Sequence, residues 1–94
     1  MQVVGGSAAV NNTGAVVTGG FGNASTSSQS IVGAGQNNTA SGGYSSVLSG
    51  NGNSANTTYT VVLNGNNNTA SGTYASVVNG SFNVASGTFS TITG

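Results

Sequence analysis

The stretch Asn68-Thr69-Ala70-Ser71-Gly72-Thr73-Tyr74-Ala75-Ser76-Val77-Val78-Asn79-Gly80 decides how this chain folds. It contains two short β-compatible segments, Thr69-Ala70-Ser71 and Ala75-Ser76-Val77-Val78, with Gly and Asn between and beyond them. Gly and Asn are corner residues because both tolerate the left-handed backbone of tight turns. Strand alternation points Ala70 and Val77 inward and leaves Ser and Thr mostly outward. A helix is a poor alternative. Gly costs about 1 kcal/mol in a helix interior, and Val, Thr, Ser and Asn are all mediocre there.

Outward from this stretch the pattern repeats every 15 residues. Asn38-Thr39-Ala40-Ser41-Gly42 and Asn83-Val84-Ala85-Ser86-Gly87 match Asn68-Thr69-Ala70-Ser71-Gly72, and Asn53-Ser54-Ala55-Asn56-Thr57 fills the gap in degraded form. Five columns share the period. Val17, Val32, Val47, Val62, Val77 and Ile92 form the first. Ala40, Ala55, Ala70 and Ala85 form the second, with Val10 in register earlier. The third is Asn23, Asn38, Asn53, Asn68 and Asn83. The fourth is Gly5, Gly20, Gly35, Gly50, Gly65 and Gly80. The fifth is aromatic: Tyr44, Tyr59, Tyr74 and Phe89.

One fixed period over a whole chain is the signature of a stacked repeat architecture. The expectation is an all-β fold, a parallel β-solenoid or β-roll of about six 15-residue coils with two short strands each. At a strand spacing of about 4.8 Å, such a rod is roughly 25–30 Å long. Residues 21–94 carry the regular repeat, and residues 1–20 fit it less well, as a degenerate first coil or partial cap.

Each column has an expected task. Ala facing Val suits a narrow interior, where larger side chains would cost about 1–3 kcal/mol in overpacking. The Gly column reads as a corner with positive φ or close backbone approach. The Asn column reads as a ladder whose side chains hydrogen-bond from coil to coil, as in cross-β stacks. The aromatic column falls an odd number of residues before the inward Val, which places it outside. There it can reinforce the stack, meet another chain or contact a glycan.

The composition excludes most chemistry. The 94 residues include no Lys, Arg, Asp, Glu, His, Cys, Pro or Trp, whereas ordinary domains are about 25% charged. A serine nucleophile needs a base, and the chain has none, so no enzyme and no catalytic residue is expected. Metal sites need thiolates, imidazoles or carboxylates, so no metal or cofactor is expected. Phosphate recognition draws on Lys and Arg, so nucleic acid is not an expected partner. No run approaches the ~18 apolar residues of a membrane span.

The unit from Asn38 to Gly50, Asn-Thr-Ala-Ser-Gly-Gly-Tyr-Ser-Ser-Val-Leu-Ser-Gly, resembles the head repeat of trimeric autotransporter adhesins, the YadA-like head. Similar repeats occur in bacterial and phage fibre proteins. Asn68–Gly80 and Asn83–Gly94 match as well, and the resemblance runs over residues 21–94. It implies a left-handed parallel β-roll, three chains side by side, and an adhesive fibre at a cell surface or on a virion. The head repeat is commonly shorter by one residue, and the addition here is expected beside Val47, at Leu48.

A second resemblance is to ryegrass-type plant ice-binding rolls, which use a flat uncharged face of Thr, Ser and Val. The outward positions beside the Val column are read as Ser30/Ile31, Ser45/Ser46, Thr60/Val61, Ala75/Ser76 and Ser90/Thr91, with Thr57/Thr58, Thr73 and Thr88 as a partial second row.

These readings lead to an extracellular, non-enzymatic structural or adhesive fibre. Its coils stack and self-associate into a trimeric rod or an end-to-end filament, with a host surface protein or glycan as a further partner. Ice binding is the alternative. The last turn, Thr88–Thr93, is as regular as the interior, so either a continuing rod or another subunit is expected against it.

Overall fold

The computed structural model describes residues 2–3, 7–10 and 14–94. Within these residues the chain is all β and winds as a parallel β-solenoid. One sheet consists of β1 (Gln2–Val3), β3 (Val16–Val17), β5 (Ile31–Val32), β7 (Ser46–Val47), β9 (Val61–Val62), β11 (Ser76–Val77) and β13 (Thr91–Ile92), paired in that order. The other consists of β2 (Ser7–Val10), β4 (Phe21–Ser25), β6 (Thr39–Ala40), β8 (Ser54–Ala55), β10 (Thr69–Ala70) and β12 (Val84–Ala85). Each turn of chain adds one strand to each sheet. We call them the valine sheet and the alanine sheet.

The strands are only two residues long over most of the rod because one inward side chain per strand suffices. Val17, Val32, Val47, Val62 and Val77 are buried from one side, and Ala40, Ala55, Ala70 and Ala85 from the other. Ile92 packs partly buried against them. Ser25 takes the place of alanine in β4 and is also buried. Together the two sheets make a slab with extents of 31 × 22 × 11 Å. The thin dimension reflects the small side chains, since stacked sheets with ordinary cores sit about 10 Å apart before any turns are counted.

Pairing is in register at 15 residues, as in Val47↔Val62 and Ala55↔Ala70. The first turn differs. Val3 pairs with Val17 and Ser7 with Phe21, an offset of 14, before Ala8 pairs with Asn23 at 15. The residue absorbed by this bulge is Gly22. Where this chain itself lengthens from a 14- to a 15-residue turn, the added residue therefore lies at the corner before the alanine strand. It does not lie beside the inward valine, where Leu48 was the expected addition. That corner column continues as Asn37, Gly52, Asn67 and Phe82, all with positive φ. A left-handed residue can be inserted at a corner without inverting strand alternation, whereas one added inside a strand would turn every later side chain to the wrong face. Gly5 of the glycine column lies outside the described residues.

Candidate functional site

Coils are joined at four places: the two sheets and two corners. At the corner leading into the alanine sheet, Phe21, Gln36, Asn51, Asn66 and Ser81 form a ladder of single parallel bridges. Beside it runs the asparagine column. Asn53 shows its full bonding. Its Oδ1 accepts the N–H of Asn68 at 2.9 Å. Its Nδ2 donates to the carbonyls of Ser49 at 3.1 Å and Gly65 at 3.0 Å. Asn23, Asn38 and Asn68 repeat this arrangement. The column therefore links coil to coil through the main chain, and not amide to amide as in a cross-β ladder. A buried amide must be satisfied or it costs about 1–3 kcal/mol, and here its oxygen and both donor hydrogens are used. Asn83 Nδ2 donates to the Asn79 carbonyl at 3.3 Å.

The glycine column makes room for these amides. Gly20, Gly35, Gly50, Gly65 and Gly80 all have positive φ, from 84° to 114°. A Cβ on Gly65 would overlap both the Gly80 carbonyl and Asn68 Nδ2. Both expected reasons for glycine, positive φ and close approach, hold at this corner.

The aromatic column sits at the corner leading into the valine sheet. Gly42–Gly43–Tyr44–Ser45 is a β-turn closed by Ser45 N–H donating to the Gly42 carbonyl at 3.1 Å. Tyr44 takes its third position with φ of 58°, and Tyr59, Tyr74 and Phe89 repeat it at 60°, 62° and 61°. The outward placement thus comes from a left-handed turn residue and not from strand alternation, because the strand begins only at Ser46. Bulky residues seldom occupy this region, at a cost of roughly 1–2 kcal/mol.

Two interactions offset that cost. The left-handed backbone aims each N–H at the previous coil, so that Tyr59 donates to Gly43 at 3.0 Å and Phe89 to Thr73 at 3.0 Å. The rings also stack. Centroids are 5.1 Å apart for Tyr44–Tyr59, 4.9 Å for Tyr59–Tyr74 and 4.9 Å for Tyr74–Phe89, with planes within 9° of parallel. Net hydrogen bonds and aromatic pairs each contribute about 0.5–1.5 kcal/mol, comparable to the strain.

The residues following Tyr44, Tyr59 and Tyr74 are buried, as is Ser30 one turn earlier, while Ser90 after Phe89 is half-buried, which corrects one expectation. Ser30, Ser45, Thr60 and Ala75 were placed outward beside the valine column, but all four face inward. The hydroxyls of Ser45 and Thr60 are consumed by the turn: Ser45 Oγ donates to Gly42 at 2.6 Å and Thr60 Oγ1 to Thr57 at 2.6 Å. Counting back from the inward valine by two reaches the same face, so Ser30, Ser45, Thr60 and Ala75 could have been assigned inward from sequence.

The true outer row of the valine sheet is Ile31, Ser46, Val61, Ser76 and Thr91, flanked by Leu48, Leu63 and Val78 on the side away from the aromatics. Ile31, Leu48 and Leu63 are exposed alongside Tyr44, Tyr59, Tyr74 and Phe89. One outer face of the rod therefore presents an aromatic column, a mixed column and an aliphatic column side by side. The opposite face, outside the alanine sheet, carries Thr39, Ser54 and Thr69 with Ser41, Asn56 and Ser71, and the same column continues to the exposed Val84, beside the exposed Phe82 of the adjoining corner. The leucines escaped the sequence reading because they occupy only two turns of their column, between Gly33 and Val78.

Stacked columns of this kind define a β-solenoid repeat protein of the β-roll type. No protein-family model matches the sequence, and no curated protein matches it.

Proposed function

We propose that this chain is a non-enzymatic structural or adhesive module of an extracellular fibre, and that it self-associates through the outer face of its valine sheet. The observation that carries this reading is the continuous apolar stripe along the outer face of the valine sheet. Tyr44, Tyr59, Tyr74 and Phe89 are 50, 44, 47 and 72% exposed, and Leu48 and Leu63 are exposed on the same side. Contiguous apolar surface along a sheet whose opposite face is Ser, Thr and Asn over the turns from Thr39 to Ser71 marks a place where another chain packs. The resemblance of residues 21–94 to YadA-like head repeats favours three chains side by side, and the neutral surface favours packing by shape rather than by charge.

Analytical ultracentrifugation tests the reading. Wild type is expected to sediment as a discrete oligomer, and Leu48→Asn with Leu63→Asn to shift it toward monomer while the β-rich circular dichroism persists. A wild-type monomer at high concentration, with its tyrosines freely solvated, overturns the interface. Ice binding is the second reading, favoured by the flat uncharged column Thr39–Ser54–Thr69. A thermal hysteresis assay separates it: clear activity replaces the fibre reading.

A further inference from the structure

The tyrosine ladder supports a chemistry that its columnar neighbours cannot. Tyr44, Tyr59 and Tyr74 are the chain's only tyrosines, and all three stand in one stack. Their rings are parallel to within 9° at 5.1 Å and 1° at 4.9 Å. Each ring atom therefore lies about one strand spacing from its counterpart in the next coil. All three are about half exposed, so an oxidant in solution reaches them. Their backbones are held in register by the ladder hydrogen bonds Tyr59 N–H to Gly43 and Tyr74 N–H to Thr58.

We propose that this column is an oxidative cross-linking site, where one-electron oxidation joins Tyr59 to Tyr44 or to Tyr74 as an intrachain dityrosine. Each phenol loses one electron and its hydroxyl proton. The two phenoxyl radicals couple through the carbons ortho to oxygen, forming one C–C bond. The hydrogens on the joined carbons then move to the oxygens, restoring two phenols. Two electrons and two protons leave in total. The co-reactant is hydrogen peroxide acting through a haem peroxidase, which takes up those electrons and protons and is reduced to two waters. Side-chain rotation about the Cα–Cβ and Cβ–Cγ bonds closes the distance, and pre-ordering by the coil replaces the diffusional encounter that free tyrosines need.

The ladder also sets the arithmetic of the product. Tyr44 and Tyr74 are two coils apart, with Tyr59 between them, and do not meet. Phe89 stacks on Tyr74 at 4.9 Å but has no hydroxyl hydrogen to lose. Tyr59 is therefore the obligatory partner of every intrachain bond, one bond forms per chain, and one tyrosine is left over. The bond would staple neighbouring coils at the left-handed corner leading into the valine sheet.

Peroxidase and hydrogen peroxide on dilute full-length chain test this. The expected product is a monomer lighter by two hydrogens, with dityrosine fluorescence, whose digest links the Tyr59 peptide to the Tyr44 or Tyr74 peptide. Tyr59→Phe keeps the stack and is expected to abolish the intrachain product, whereas Tyr44→Phe and Tyr74→Phe each retain it. Intrachain product persisting in Tyr59→Phe, or only interchain product from wild type, overturns the proposal. The same reaction at a concentration where the chain is oligomeric addresses the interface separately: protection there supports a buried ladder and leaves the dilute result to decide the cross-link.

Discussion

Two glycines, Gly65 and Gly43, illustrate what a residue position demands. Gly65 has φ of 114°, and a Cβ there would collide with the Gly80 carbonyl and Asn68 Nδ2. Gly43 has ordinary φ, and a Cβ would meet only Ser27 Oγ at 4.0 Å. Gly65→Ala is expected to cost about 2–4 kcal/mol, from left-handed strain plus displaced amide bonds. Gly43→Ala is expected to be neutral or stabilising by about 0.4–1 kcal/mol, through the unfolded chain's lost freedom. Urea denaturation distinguishes them, and equal losses would show that corner geometry is not what holds Gly65. The difference was legible in part: Gly65 recurs at every turn of the period, while Gly43 shares its column with Thr58, Thr73 and Thr88. The left-handed tyrosines were not legible, because propensity assigns that backbone to Gly or Asn. Only the stacking of one coil on the next makes an aromatic tolerable there.

Individual strands here are too short to be stable alone. β10 is Thr69–Ala70, and its one inward methyl meets the valine sheet across a slab 11 Å thick. Stability resides in columns, with each buried valine contributing about 1.5–3 kcal/mol and each satisfied asparagine preventing a loss of similar size. The interior is accordingly intolerant of volume. Ala70→Leu is expected to destabilise by about 1–3 kcal/mol or more, since neither sheet can yield without breaking its ladder. Thr69→Val, one residue away and outward, is expected to change stability by less than about 0.5 kcal/mol. Thermal unfolding of the two variants checks this; a tolerated leucine would mean that the sheets are more loosely coupled than the packing indicates. The inward assignment of Ala70 and Val77 followed from alternation and period. The inward assignment of Ser45 and Thr60 follows from the same alternation, two residues before Val47 and Val62, and the structure adds that the turn carbonyls of Gly42 and Thr57 satisfy their hydroxyls.

Across the whole molecule, the absence of charged side chains acts as a stacking rule. In-register coils put every side chain directly beside its own repeat, so a charged column would set like charges at strand spacing. Stability of the wild type is expected to be nearly the same in about 0.05 M and about 1 M sodium chloride, because there is little for salt to screen. Ser54→Lys with Thr69→Lys places two cations on paired outward positions. That double variant is expected to lose about 1 kcal/mol at low salt and to recover part of it at high salt, with Ser54→Lys alone near neutral. Salt-independent loss in the double variant would point to propensity and not repulsion. The same rule leaves the rod free to associate by apolar contact, as proposed for the outer face of its valine sheet.

Period and composition were sufficient to establish the architecture, because a solenoid is encoded locally: each 15-residue turn repeats the same inward and corner residues. They also show that these 94 residues carry no Lys, Arg, Asp, Glu, His or Cys side chain. The tertiary structure alone decided how the columns are used. It turned the asparagine ladder onto the main chain, tied each aromatic corner to the preceding coil, and set Leu48 and Leu63 on the same face as the tyrosines. Those outcomes depend on which carbonyl or ring one coil presents to the next. That relation joins residues 12 to 16 apart in sequence, and no single turn of the repeat contains it.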